Sequence, residues 1–431
     1  MSCYSPKPPT HAAGQSGTDS ADEASFSAVT EAFYWDTMTF SPVWAVALGH
    51  HQYDGKLPDR SPAAIAAEIA RLHKAQKTLA AFPSDTLSPT QRIERDVLQS
   101  HIRKDLFELE TTREPFKNPM YYPSALNLVT YVSLDYEPLN ERARAILFIS
   151  EAAPDYVAQA MANLPDKMPK TWIETALLQV RGMIDFAEDD VPVAMAGIDG
   201  TPLAIKVTQG LERYRKALAR LQSFLKAKLP SATERFALGK DRFLRMLAET
   251  QGVSVSLERL EQIARDDLER NTKALAAAAH AIDLNATVAD VVRAEIADKP
   301  AAGEVLDVAR KQAEMLRAFV MDKDIATIPS PDEAEVRESP PFMRWNSAFL
   351  RTAGVFSTDP LPSFYYISPP DPRWPEAEQR AYIPSRGSLL STTVHEVWPG
   401  HFLHYLHRKT NPSRVLKTFC TYSMVEGWAH Y

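Results

Sequence analysis

Residues 395–404 read HEVWPGHFLH, and the way this stretch folds decides how the rest of the chain must be arranged around it. The pattern H-E-x-x-H puts two histidines on one helix face with a glutamate beside the first, a set that binds zinc in hydrolytic sites. Here the position four after His395 is Pro399, and the next histidine, His401, lies six along. On a regular helix six steps leave two side chains about 120° apart, whereas four leave about 40°. A regular helix would therefore fail to aim both histidines at one ion. Pro399 cannot donate to the carbonyl of His395 and its ring clashes there, so the helix must open locally. Gly400 tolerates the backbone that results. If Trp398, Pro399 and Gly400 form a bulge absorbing the extra residues, His401 returns to the face of His395.

Zinc takes imidazole and carboxylate ligands in a tetrahedron, and a catalytic site leaves one position for water. A glutamate next to the first histidine, here Glu396, can serve as general base on that water. For a third protein ligand the strongest candidate is Glu426 in MVEGWAHY, 25 residues after His401, which leaves room for a turn and an antiparallel return helix. Gly427 beside it costs about 1 kcal/mol in a helix interior relative to alanine, which suits a place where backbone passes close to the motif helix. Spacing alone leaves a second reading open: surface residues from a chain with 11 histidines, and a Pro-Gly pair that simply breaks a helix. His404 and His407, three apart, and His430, four after Glu426, could also ligate. They read better as a solvated or packed helix face.

Outward from the motif, the texture is proline-rich from about residue 326, with IPSPDEAEVRESPPFMRW and DPLPSFYYISPPDPRWPEAEQRAYIP. Phe364-Tyr365-Tyr366-Ile367 is the best strand candidate in the chain. Pro362 and Pro369 flank it closely and predict an edge strand. Helix resumes near Ser385, and a last helical stretch is predicted from about Val415 to the end.

Before residue 326 the chain reads as helix after helix. Ser61-Pro62 is a cap with proline at the first helical position, followed by Ile65, Ile69, Leu72 and Leu79 on one face. Ser88-Pro89-Thr90-Gln91 is a capping-box pattern, and Ile93, Val97, Leu98, Ile102, Leu106 and Leu109 continue its apolar stripe. Further helices are predicted at about residues 139–160, 169–187, 204–228, 233–249, 256–282 and 302–322. No fixed-period repeat is present, so a solenoid is not supported.

The 431 residues include 45% apolar and 24% charged side chains, an ordinary globular balance. A formal net charge of -7 gives no electrostatic reason to expect nucleic acid or an anionic membrane as partner. Glycine is scarce at 15 and proline plentiful at 32, which suits helices better than hairpins. Phosphate-binding glycine loops are missing. Two cysteines, Cys3 and Cys420, exclude a disulfide framework. No apolar run approaches the roughly 20 residues that span a bilayer. A cytoplasmic protein is the default expectation. The opening MSCYSPKPPTHAAGQSGTDSADEA also resembles the tether after a lipidated cysteine, as if an upstream signal had been lost, and the alternative on that condition is a periplasmic lipoprotein lipidated at Cys3.

HEVWPGHFLH followed by EGWAHY resembles the bacterial family known as domain of unknown function 885 (DUF885), whose pattern is close to H-E-A-x-P-G-H-x-x-Q and then E-G-W-A-x-Y. ALGHHQYDGKLPDRSP and SEAAPDYVAQAMANLPDKMPKTWIETALLQVRGMIDF are similar to that family's N-terminal and middle regions. The likeness runs from about residue 30 to the end. It implies a zinc metallopeptidase of the glutamate-ligand type, similar to carboxypeptidase Taq and thimet oligopeptidase. The fold it implies is mainly α, a large multi-helix structure with a cleft and a small edge β-sheet beside the motif helix. Carried over residue by residue, His395, His401 and Glu426 would bind Zn2+ and Glu396 would be the catalytic base. Phe364, Tyr365 and Tyr366 would supply an edge strand that holds peptide substrate by β-augmentation. Where the family pattern has glutamine, this chain has His404. Family members continue well beyond the position of Tyr431, so the metal-motif part is expected to be incomplete at its C-terminus.

Three parts are expected: a disordered N-terminal tether over residues 1–25, a helical domain over 26–325 and a metal-motif subdomain over 326–431. The function expected is zinc-dependent hydrolysis of peptide bonds. The alternative is a truncated or degenerate helical protein that binds peptides or partners without catalysis.

Overall fold

Serine and proline start the long helices in the way their chemistry requires. The computed structural model describes residues 19–431 apart from 341, 342, 345 and 359, with side chains from residue 25 onward. The Ser61 hydroxyl accepts from the Ala64 amide and opens the helix Pro62–Ala80. Ser88 and Gln91 close a reciprocal capping box at the head of Pro89–Leu106. The predicted helices are present as Leu139–Asn163, Lys170–Ala194, Pro202–Lys228, Leu257–Ile282 and Val305–Asp322. The stretch expected to begin near residue 233 turns helical only at Lys240, because Thr233 pairs with Pro169 in an extended bridge. A helix already runs over Asp19–Phe40, so residues 19–25 do not belong to the expected tether; Cys3 lies outside the described residues.

Two apolar cores organise these helices. The first is built by Leu139–Asn163, Lys170–Ala194 and Pro202–Lys228 around residues such as Ile146, Ile173, Tyr214 and Leu218. The second joins residues from Phe26 to Leu109 with residues from Val305 to Phe419. The boundary expected at residue 326 therefore does not separate two cores. The metal-motif segment shares its core with the first helices of the chain, and apolar stripes far apart in sequence cover one another.

A small sheet lies where the two cores meet. Its strands are β1 (Ala334–Glu338), β2 (Ala348–Arg351) and β3 (Ser363–Ile367), in the order β1-β3-β2. β3 runs parallel to β1 and antiparallel to β2. Phe364 and Tyr366 pack into the first core while Tyr365 and Ile367 pack into the second, as alternation along a strand dictates. The expectation that the flanking prolines make this an edge strand is corrected here, since β3 is central and all five residues are buried. Pro362 and Pro369 stand just outside the ladder, so each paired residue keeps its N–H. Among the described residues no helix is long and apolar enough to cross a membrane.

Candidate metal centre

The motif folds as two helices joined by a tight turn. The first motif helix, Arg386–Glu396, is capped by the Ser385 hydroxyl, which accepts from the Ser388 amide. It stops at Glu396, and a second motif helix begins at His401 and runs to Thr410. Between them the Trp398-Pro399 peptide bond is cis. The break is sharper than the expected bulge: the helix ends outright and the chain folds back on its last turn. Gly400 donates to the Val394 carbonyl at 3.1 Å. A Cβ on Gly400 would lie 1.8 Å from the His395 carbonyl oxygen, so only glycine can close this turn. Trp398 is buried with its ring edge-on to Phe402 at 5.3 Å, which anchors the turn in the second core.

This turn brings the histidines together. The rings of His395 and His401 stand 4.6 Å apart, edge to face. The Glu426 carboxylate comes from the helix Tyr422–His430, with Oε2 3.7 Å from the Nε2 of both histidines. One ligand atom from each of the three residues can be chosen so that all lie within 4.8 Å of one another. Two imidazoles and one carboxylate are a zinc donor set, and three protein ligands leave the fourth tetrahedral position open. The residues thus fit zinc. Burial, reinforced for His395 by the nearby His430 and for His401 by His395, lowers both imidazole pKa values against the opposing pull of Glu426. The neutral form that results is the one that ligates a metal.

Glu396, next to His395 in the chain, reaches the sheet. Its Oε2 accepts from the Leu350 amide of β2 at 2.9 Å. Burial pushes its pKa up to about 7, with the Leu350 amide opposing and the Glu426 charge adding. A carboxyl held there can take and release a proton near neutral pH.

Sequence reasoning missed two groups that shape the site. Leu350 belongs to a four-residue strand too short to be seen by alternation. The Trp428 indole N–H donates to the Pro399 carbonyl at 2.8 Å and the Gly400 carbonyl at 3.2 Å, tying the Glu426 helix to the turn. The signal for it was the EGW triplet itself. Gly427 was expected where backbone passes close to the motif helix, but a Cβ there would meet nothing within 4 Å; Trp428 makes the contact instead. His407 Nε2 is engaged by the Thr327 carbonyl at 2.8 Å, and His404 is not one of the clustered ligands. The His430 ring lies 4.8 Å from that of His395. Phe364, Tyr365 and Tyr366 sit in the central strand, flanked on both sides, so the strand edge beside Glu396 belongs to β2.

Residues 42–431 match the model of a family of bacterial proteins of unknown function, DUF885. The chain belongs to that family. A similar fold is seen in two solved structures. One is a candidate lipoprotein of unknown function from Shewanella oneidensis, 21% identical, with a TM-score of 0.72 over 94% of this chain and 76% of that one. The other is a candidate lipoprotein from Colwellia psychrerythraea, 14% identical, with a TM-score of 0.73 over 95% of this chain and 76% of that one. At such identities the likeness carries the fold alone. No curated protein matches the chain.

Proposed function

We propose that this DUF885 chain is a zinc-dependent hydrolase of peptide bonds. The observation that carries the reading is the convergence of His395, His401 and Glu426 beside a buried Glu396 with a raised pKa. Zinc bound by that trio supplies Lewis acidity, which polarises a carbonyl and acidifies water. Glu396 moves the proton. The Leu350 amide holds its Oε2, which leaves Oε1 to accept a proton from the attacking water and return it to the leaving amine. The outer edge of β2 aligns the peptide backbone by β-augmentation, in place of the edge first assigned to Phe364–Tyr366.

The test is metal analysis of the purified chain together with peptide hydrolysis by Glu396→Gln. About one zinc per chain is expected in both proteins, with hydrolysis reduced by roughly 10²–10⁴-fold in the variant. A variant that retains zinc and cleaves as fast as the wild type would sink the mechanism. A chain that takes up no transition metal would favour peptide or partner binding without catalysis. On location, the lipoprotein descriptions of both solved relatives support the periplasmic reading with lipid on Cys3 over the cytoplasmic one. Palmitate labelling in bacteria tests this, and label that survives Cys3→Ser would refute it.

A further inference from the structure

Arg351 ends β2, one residue beyond Leu350, whose amide holds Glu396. Alternation sends its side chain to the face that Phe349 shares with the first core, opposite to Leu350. There it meets a cavity of about 110 Å³ lined also by His51, Thr130, Thr352, Gly354 and Ser357. Among the described residues the lining contains no carboxylate. The Nε of Arg351 is sealed from solvent and has no hydrogen-bond partner among the described residues. Its guanidinium forms no ion pair with any described residue. Arg is rarely buried unless paired, because nothing then offsets the loss of its hydration. Asp54, which faces the cavity-lining His51, is already engaged by His51 Nδ1 at 3.2 Å and by the Tyr136 hydroxyl, which donates at 2.8 Å.

The walls are closely packed. Gly354 lies against the end of the helix Pro42–Leu48, where a Cβ would come within 2.4 Å of the Leu48 carbonyl carbon. Phe356 donates to the Leu48 carbonyl at 2.9 Å. The His51 ring is stacked on Tyr136 with centroids 3.7 Å apart. An unpaired guanidinium fork with hydroxyls around it suits a planar, bidentate anion. The volume admits a carboxylate and little more.

We infer that Arg351, with Thr352 and Ser357, forms a carboxylate-binding subsite one residue along β2 from the Leu350 amide that holds Glu396, which takes the C-terminal carboxylate or an acidic side chain of a peptide. The inference rests on the peptide-hydrolase reading for what brings the carboxylate there; the subsite itself needs no zinc. Calorimetric titration of the full chain in the Glu396→Gln background, which removes turnover, tests it with three probes. These are N-acetyl-dialanine, N-acetyl-dialanine amide and N-acetylglutamyl amide. At least one of the two carboxylate probes is expected to bind about tenfold tighter than the neutral amide. Which one does so identifies the source of the carboxylate. Arg351→Met removes that preference, and Arg351→Lys, which keeps the charge but not the fork, restores part of it. Thermal unfolding of Arg351→Met at or above the parent midpoint establishes that the loss is not misfolding; should it unfold, the Arg351→Lys titration decides. Equal binding of all three probes, or a preference that survives Arg351→Met, overturns the assignment. A preference with no peptide hydrolysis in the wild type would keep the subsite and remove the enzyme reading.

Discussion

Gly400 has no substitute, because the atom that a side chain would strike is backbone. Its absent Cβ would lie 1.8 Å from the His395 carbonyl oxygen and 2.6 Å from that of Val394. Neither can move without unwinding the last turn of the helix that carries His395 and Glu396. Gly400→Ala is therefore expected to cost about 3 kcal/mol or more and to lower zinc stoichiometry, read by thermal unfolding and metal analysis. An unchanged midpoint with full zinc would show that the turn is adaptable. At this scale much was legible. Histidine and glutamate are chemically distinctive, and proline with glycine announces a break whatever surrounds it. Leu350 was not legible, since it contributes an amide that every residue except proline possesses.

Among the elements, helices were more readable than strands. A helix states its own beginning. Ser88 and Gln91 satisfy each other's backbone amides within four residues of chain, so no distant contact is needed to see it. Ser88→Ala is expected to destabilise by about 1 kcal/mol, measured as a lower urea midpoint with an unchanged slope. A loss below the error of that measurement would mean that packing alone holds the helix end. The sheet behaves differently. β3 was recognised from its aromatic run, but its place between β1 and β2 depends on partners up to 29 residues away, as in Ala334 pairing with Ser363. Proline rules judge a strand by its own donors, and here the prolines fall outside the ladder. The two short strands on either side carry no periodic signal of their own.

Across the whole molecule, packing fixes the charge of several histidines. His50 Nε2 is hydrogen-bonded to the Tyr34 hydroxyl, and its ring stacks on Phe356 with centroids 4.7 Å apart. Burial, with Arg414 and His51 adding repulsion, pulls its pKa down to about 4. His101 is lowered by burial against the pull of Asp105, and burial beside Arg408 takes His404 down to about 4. In the unfolded chain these rings protonate near pH 6.5, so below that pH the unfolded state binds more protons. Stability is therefore complete above about pH 6.5 and falls as pH drops toward 4, by roughly 2 kcal/mol at pH 5 for His50 alone. Urea unfolding at pH 7 and pH 5 checks this, and equal midpoints would show that the rings are protonated in the fold. By itself the sequence determined the helical class, the helix starts and the chemical identity of His395, Glu396, His401 and Glu426, because these are set by local capping, periodicity and side-chain type. Only the tertiary structure decided that residues 26–109 share a core with 305–419, that β3 is central, that β2 holds Glu396 and that the Arg351 Nε is buried with no hydrogen-bond partner among the described residues. Each depends on contacts between segments distant in the chain, and no local pattern encodes which surface will cover another.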